Sequence, residues 1–108
     1  MITEEQIQAV VRRIVEGYQP DKIILFGSYA YGVPTEHSDL DLLIIKHDAE
    51  QPPIARDLKV RHLLWGGPMP PMDLFIRTPQ ELSLAVAREF TVEAEAVRKG
   101  RLLYIDAN

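Results

Sequence analysis

Ser38-Asp39-Leu40-Asp41-Leu42-Leu43-Ile44-Ile45 is the stretch that decides how this chain folds. The run Leu42–Ile45 is as long as any apolar run in the sequence and ends in β-branched residues, the signature of a short buried strand. Strand side chains alternate, so Asp39 and Asp41 point to the same side. Two carboxylates on one face repel each other and disfavour the strand that carries them. A divalent cation relieves that repulsion, and carboxylate pairs hold Mg²⁺ with substrate phosphates completing its shell. The plainer alternative is an acidic lead-in that only solvates the start of the strand.

Upstream, Ile23-Ile24-Leu25-Phe26 is a second apolar strand, stopped by Gly27-Ser28. Glycine lets a ligand come close to the backbone. Ser28 adds a hydroxyl and an N–H at the start of a turn, a setting that suits a phosphate. A lone Gly-Ser pair most often marks nothing more than a turn. Downstream, Met72-Asp73-Leu74-Phe75-Ile76 repeats the theme of an acid at the head of a strand. If that strand pairs beside Leu40–Lys46, Asp39, Asp41 and Asp73 converge at one sheet end, as a two-metal site requires. Otherwise Asp73 caps the turn after Pro70-Pro71.

The remaining elements follow from periodicity and punctuation. Residues 3–17 carry Ile7, Val10, Val11, Ile14 and Val15 at helical spacing, with Thr3 as cap and Gly17 and Pro20 as the stop. Residues 29–38 form a loop that opens with a helical turn. Residues 54–65 read as a helix with Pro53 in its first turn. Residues 66–71 are a turn-rich connector. A helix starts at Thr78-Pro79 and runs towards Lys99 with a break near Phe90-Thr91. Gly100 caps it, and Leu102–Ile105 is a last strand. Strands and helices alternate, so the expectation is an α/β (α+β) domain spanning 1–108: a small mixed β-sheet with helices mainly on one face and the acids at one end.

Composition narrows the chemistry. The 108 residues contain no Cys, which removes disulfides and thiolate metal sites and fits a cytoplasmic protein. No apolar run exceeds four residues, far from the roughly 20 of a membrane helix, and the first residues, MITEEQIQ, do not form a signal peptide. The net charge of −4 argues against direct nucleic-acid binding by bulk electrostatics.

Gly27-Ser28, ten residues, then Asp39-x-Asp41 is a combination that chance gives in about one chain in a thousand of this length. With it, the sequence resembles the nucleotidyltransferase superfamily that includes DNA polymerase β, and within it the minimal nucleotidyltransferases found as antitoxins beside HEPN-domain toxins. The likeness covers nearly the whole chain, including the Asp73 strand and Gly100-Arg101-Leu102-Leu103-Tyr104. It implies a polymerase β palm-like fold. It implies that Gly27 and Ser28 hold a nucleoside triphosphate, and that Asp39, Asp41 and Asp73 bind Mg²⁺, two ions when nucleotide is present. Asp73 would also help deprotonate the incoming hydroxyl. The implied reaction moves a nucleoside monophosphate, AMP from ATP, onto a hydroxyl. The implied acceptor is a tyrosine of a HEPN toxin, brought by that partner or by a second subunit of a homo-oligomer.

The loop departs from the family's Gly-Ser-x-Ala-Arg-Gly: it reads Gly27-Ser28-Tyr29-Ala30-Tyr31-Gly32, with no Lys or Arg between Ser28 and Lys46. That departure favours the alternative of a catalytically weak binding module that works by occlusion. Arg77 shares a strand face with Asp73 and could approach a phosphate. Arg56, Lys59, Arg61 and His62 give the 54–65 helix a basic side, by default a solvated one. The apolar stretch Leu63–Met72 serves either the core or a partner surface. His37, His47 and His62 lack metal-ligand spacing.

Overall fold

The computed structural model describes residues 1–67 and 69–107, so Pro68 of the expected connector and Asn108 lie outside the description. Helix α1 spans Glu4–Tyr18. Its start is a capping box: the Gln6 amide donates to Thr3 Oγ1 at 3.1 Å, and the Thr3 amide donates to Gln6 Oε1 at 2.8 Å. Ile7, Val10, Val11 and Ile14 form its buried stripe. The helix does not stop at Gly17 but continues to Tyr18, and Gln19 turns it off at φ 55°. Gly17 serves packing instead: a Cβ there would stand 2.9 Å from Leu63 Cδ2.

Strands β1 (Lys22–Phe26), β2 (Leu40–Ile45), β3 (Met72–Arg77) and β4 (Arg101–Ile105) form one mixed sheet in the order β3-β2-β1-β4. β1 runs antiparallel to β2 and β4, while β2 and β3 are parallel. A parallel pair needs a crossover, supplied here by α2 (Pro53–Leu63). Alternation along the strands divides the core in two. Ile23, Leu25, Leu40, Leu42, Ile44, Met72 and Ile76 pack with α1 and with Val60 and Leu64. On the opposite face Phe26, Leu43 and Ile45 meet Ala96 of α4 (Val92–Lys99) and Leu82 of α3 (Pro79–Val86). The two longer helices thus share one face and two short helices cover part of the other, so the expectation of helices mainly on one face is corrected to two on each, because the Phe26, Leu43 and Ile45 side of the sheet is apolar as well and needs cover. Asp41 and Asp73 have the parity of Leu43 and Phe75, so they belong to the partly covered face.

The break near Phe90-Thr91 separates α3 from α4. Thr91 caps α4, accepting from the Ala94 amide at 3.1 Å while its hydroxyl donates to the Ala85 carbonyl at 2.8 Å. Gly100 ends α4 in extended backbone rather than the left-handed form, and it is needed for close approach instead: a Cβ there would collide with the Ala96 carbonyl and the Ile24 side chain. In the apolar stretch before β3, Leu64 is buried and closes the core, while Trp65 is 76% exposed. Among the described residues no helix is long and apolar enough to cross a membrane.

The basic side expected on α2 is not a patch. Arg56 is only 4% exposed. It donates to the carbonyls of Gln51 and Ile76 and grips Glu81 through two nitrogens, the shorter contact at 2.6 Å. Arg61 is held by Asp57 and the Met72 carbonyl. The Arg56 guanidinium keeps the Glu81 carboxyl at about 2, against its ordinary 4.5. A lowered carboxylate stabilises the fold above its unfolded pKa, and that contribution drains away as pH falls from about 4.5 towards 2. Glu81→Gln leaves a buried guanidinium without a counter-charge, but Glu81 itself stays in contact with solvent, so the expected cost is about 1–2 kcal/mol at neutral pH in urea unfolding. A change below about 0.5 kcal/mol would mean that the two carbonyls alone satisfy Arg56.

Candidate active site

One end of the sheet gathers the chemistry. β1 finishes there at Phe26, β2 and β3 begin there, and β4 begins there with Arg101 opposite Leu25. Phe26, Asp41 and Asp73 lie in one row across three strands, with Asp41 in register with both neighbours. Asp41 is half-buried, and Asp39 and Asp73 are exposed. The Asp41 carboxyl is pushed up to about 6. Burial is the main cause, followed by the charge of Asp73 and a hydrogen bond to it, then by the charges of Asp39 and Glu95. Asp41 therefore holds a proton more tightly than an isolated aspartate does.

Gly27 lies directly against this pair. Its φ is +75°, and a Cβ built on it would run into the Asp41 carboxylate. Only glycine takes this conformation and leaves that space. The chain then makes a single 3₁₀ turn, Gly27–Tyr29, with the Ala30 and Tyr31 amides donating to the Gly27 carbonyl at 3.0 and 3.1 Å. The Ser28 hydroxyl on this turn has no hydrogen-bond partner among the described residues. Tyr29 packs against the core and accepts from the Ile2 amide at 3.0 Å.

Of the residues singled out in the sequence, Gly27, Asp41 and Asp73 meet directly. Asp39 stands near enough for Asp41 to feel its charge, and Ser28 is on the adjoining turn. Among the described residues no three His, Cys, Asp or Glu side chains form a preassembled metal cage. The donor set still fits a hard cation: it is all carboxylate oxygen, two members are in register, and their repulsion is what a bound dication offsets. Arg77 is not part of this end. It lies opposite Ile45 at the far end of β3 and pairs with Glu93 at 3.3 Å.

Two participants, Glu95 and Lys99, escape a reading of the sequence. Glu95 of α4 approaches both Asp41 and the Tyr31 phenol. Tyr31 carries Lys99 Nζ 5.7 Å from its ring centre. The available signal for Glu95 is its place between Ala94 and Ala96, two small buried residues that bring α4 down onto the sheet.

Comparison with known proteins bears on the family and the fold. The family model for the nucleotidyltransferase domain matches residues 5–103. A Sulfolobus solfataricus protein assigned as a nucleotidyltransferase superposes with a TM-score of 0.62 at 18% identity, over 92% of this chain and 77% of that one. A mutant of the toxin–antitoxin pair MntA-HepT, with two aspartates changed to glutamate, superposes with a TM-score of 0.56 at 20% identity, over 97% of this chain and 75% of the other. No curated protein sequence matches significantly. At such identities the superpositions speak for the fold, and the family match speaks for descent. Reaching from the first turn of α1 into β4, that match takes in the strand-end aspartates and the Gly27 turn together, and the chain belongs to the nucleotidyltransferase-domain family.

Proposed function

We propose that the protein is a Mg²⁺-dependent nucleotidyltransferase that moves AMP from ATP onto a hydroxyl, the acceptor being a tyrosine of a HEPN-domain partner whose toxicity this transfer neutralises. The observation that carries the reading is the register of Asp41 with Asp73 beneath a glycine that has no room for a side chain. The likeness to a chain of a toxin–antitoxin pair supports the choice of partner. Asp39, Asp41 and Asp73 would hold Mg²⁺, which neutralises phosphate charge and lowers the pKa of a coordinated hydroxyl. Gly27 gives the polyphosphate access to the backbone, and Ser28 donates its free hydroxyl. The acceptor oxygen bonds to the α-phosphorus as the bond to the departing pyrophosphate breaks. The acceptor proton passes to Asp73, the more exposed carboxylate of the pair.

The test is transfer of label. The chain, a candidate HEPN partner, Mg²⁺ and ATP labelled at the α-phosphate should give a labelled partner. EDTA should abolish the signal, and ATP labelled at the γ-phosphate should give none. Label arriving from the γ-position would identify a kinase and overturn the proposal. A second reading is favoured by Tyr31, which stands where a basic residue would help phosphate binding: the chain occludes its partner without catalysis. A nucleotide site raises the melting temperature with Mg²⁺ and ATP by mass action. No shift at millimolar nucleotide would favour occlusion.

A further inference from the structure

A nucleoside triphosphate brought to this sheet end meets Asp39, Asp41, Asp73 and Glu95, so even with a dication present the site needs further positive charge. The loop after Gly27 has none before Lys46, which lies beyond the far end of β2. Arg101 is at the right end but is engaged bidentately by Glu4, at 3.1 and 2.9 Å. Arg61 is fixed by Asp57 at 2.6 Å. Lys99 differs. It is exposed on the last turn of α4, with no carboxylate partner among the described residues although Glu95 stands one turn before it. Its ammonium lies over Tyr31, whose amide is bonded to the Gly27 carbonyl. A cation held over an aromatic face keeps its charge and its remaining donors free for an anion.

We propose that Lys99 contacts the β- or γ-phosphate of the nucleotide, with Tyr31 as the platform that positions it. This rests on the nucleotidyltransferase reading. The chain thereby supplies from α4 the positive charge that the Gly27 loop lacks.

The experiment measures binding of ATP and of AMP, each with Mg²⁺, to the full chain by calorimetry. Lys99→Met is expected to weaken ATP binding about tenfold or more, the loss of one charge-assisted contact. AMP, which lacks the β- and γ-phosphates, should bind within about twofold of the wild type. Lys99→Arg should retain ATP binding, and Tyr31→Arg in the Lys99→Met background should recover it. The exposed position predicts an unchanged urea midpoint for Lys99→Met, so lost folding cannot imitate the result. If Lys99→Met binds ATP as well as wild type, or loses ATP and AMP equally, Lys99 has no polyphosphate role although the nucleotidyltransferase reading survives. A wild-type chain that binds neither nucleotide removes that reading and Lys99 with it.

Discussion

Asp41→Asn is expected to abolish nucleotidyl transfer, by about a thousandfold or more, and at the same time to make the metal-free protein more stable. The first effect follows from losing a carboxylate that holds a cation worth several kcal/mol to a developing phosphate charge. The second follows from the folded state alone. The Asp41 carboxyl titrates near 6 rather than 3.8 because folding half-buries it beside Asp73. Below about pH 4 it is protonated whether folded or not, and its shift costs nothing. Between about 4 and 6 the unfolded chain has released the proton while the folded chain keeps it, so stability falls as pH rises, and the deficit persists at neutral pH. The full shift would correspond to about 3 kcal/mol, but Asp41 remains in contact with solvent, and about 1 kcal/mol is the figure to expect. Asn removes the charge, keeps the shape and can still hydrogen-bond Asp73. In EDTA at pH 7.5 its melting temperature should therefore lie roughly 4–8 °C above wild type, with the slope between pH 4 and 6 lost. Mg²⁺ should stabilise wild type and leave the variant unmoved. An Asn variant that melts below wild type would mean that the carboxylate is not held against its own repulsion.

The opposite signs of these two effects are the mark of a site kept at the expense of the fold. The same conflict made this part of the protein legible in the sequence. Acids that head otherwise apolar strands have no stabilising reason to be there, so Asp39, Asp41 and Asp73 stood out, and period-two alternation assigned the first two to one side. The strands were readable because each is a short apolar run with sharp punctuation. What the sequence could not supply was anything that depends on register or on the approach of distant elements. Glu95 reads as one more acid on an amphipathic helix until α4 is folded back onto β1, beside Asp41. Arg56 reads as a solvated helix residue until Glu81, Gln51 and Ile76 surround it. Gly17 reads as a helix stop until Leu63 is packed on it, since a missing side chain looks alike whether it frees the backbone or admits a neighbour. Lys99 and Tyr31, far apart in sequence, carry no shared signal at all.

Gly27→Val should unfold the protein partially and empty the site, the largest stability loss expected at this end of the sheet. At φ +75° any side chain is strained, and a β-branched one more than alanine. The cost of that conformation alone is about 2 kcal/mol. The Cβ must also displace the Asp41 carboxylate, which cannot swing away without abandoning Asp73. Together about 3 kcal/mol or more is expected, measured as a fall in the urea midpoint with unchanged slope. Gly27→Ala separates the two causes. Its backbone strain persists in every background, whereas its collision requires the aspartate. In an Asp41→Ala background the carboxylate is gone, so Gly27→Ala should cost only the strain, about 1 kcal/mol, and the double-mutant cycle should return a coupling of about 1 kcal/mol or more. Additive costs would mean that the glycine serves its own turn and nothing beneath it. A clear coupling would mean that the residue following β1 is glycine because of the acid it covers, which ties the turn and the carboxylates into one constructed site.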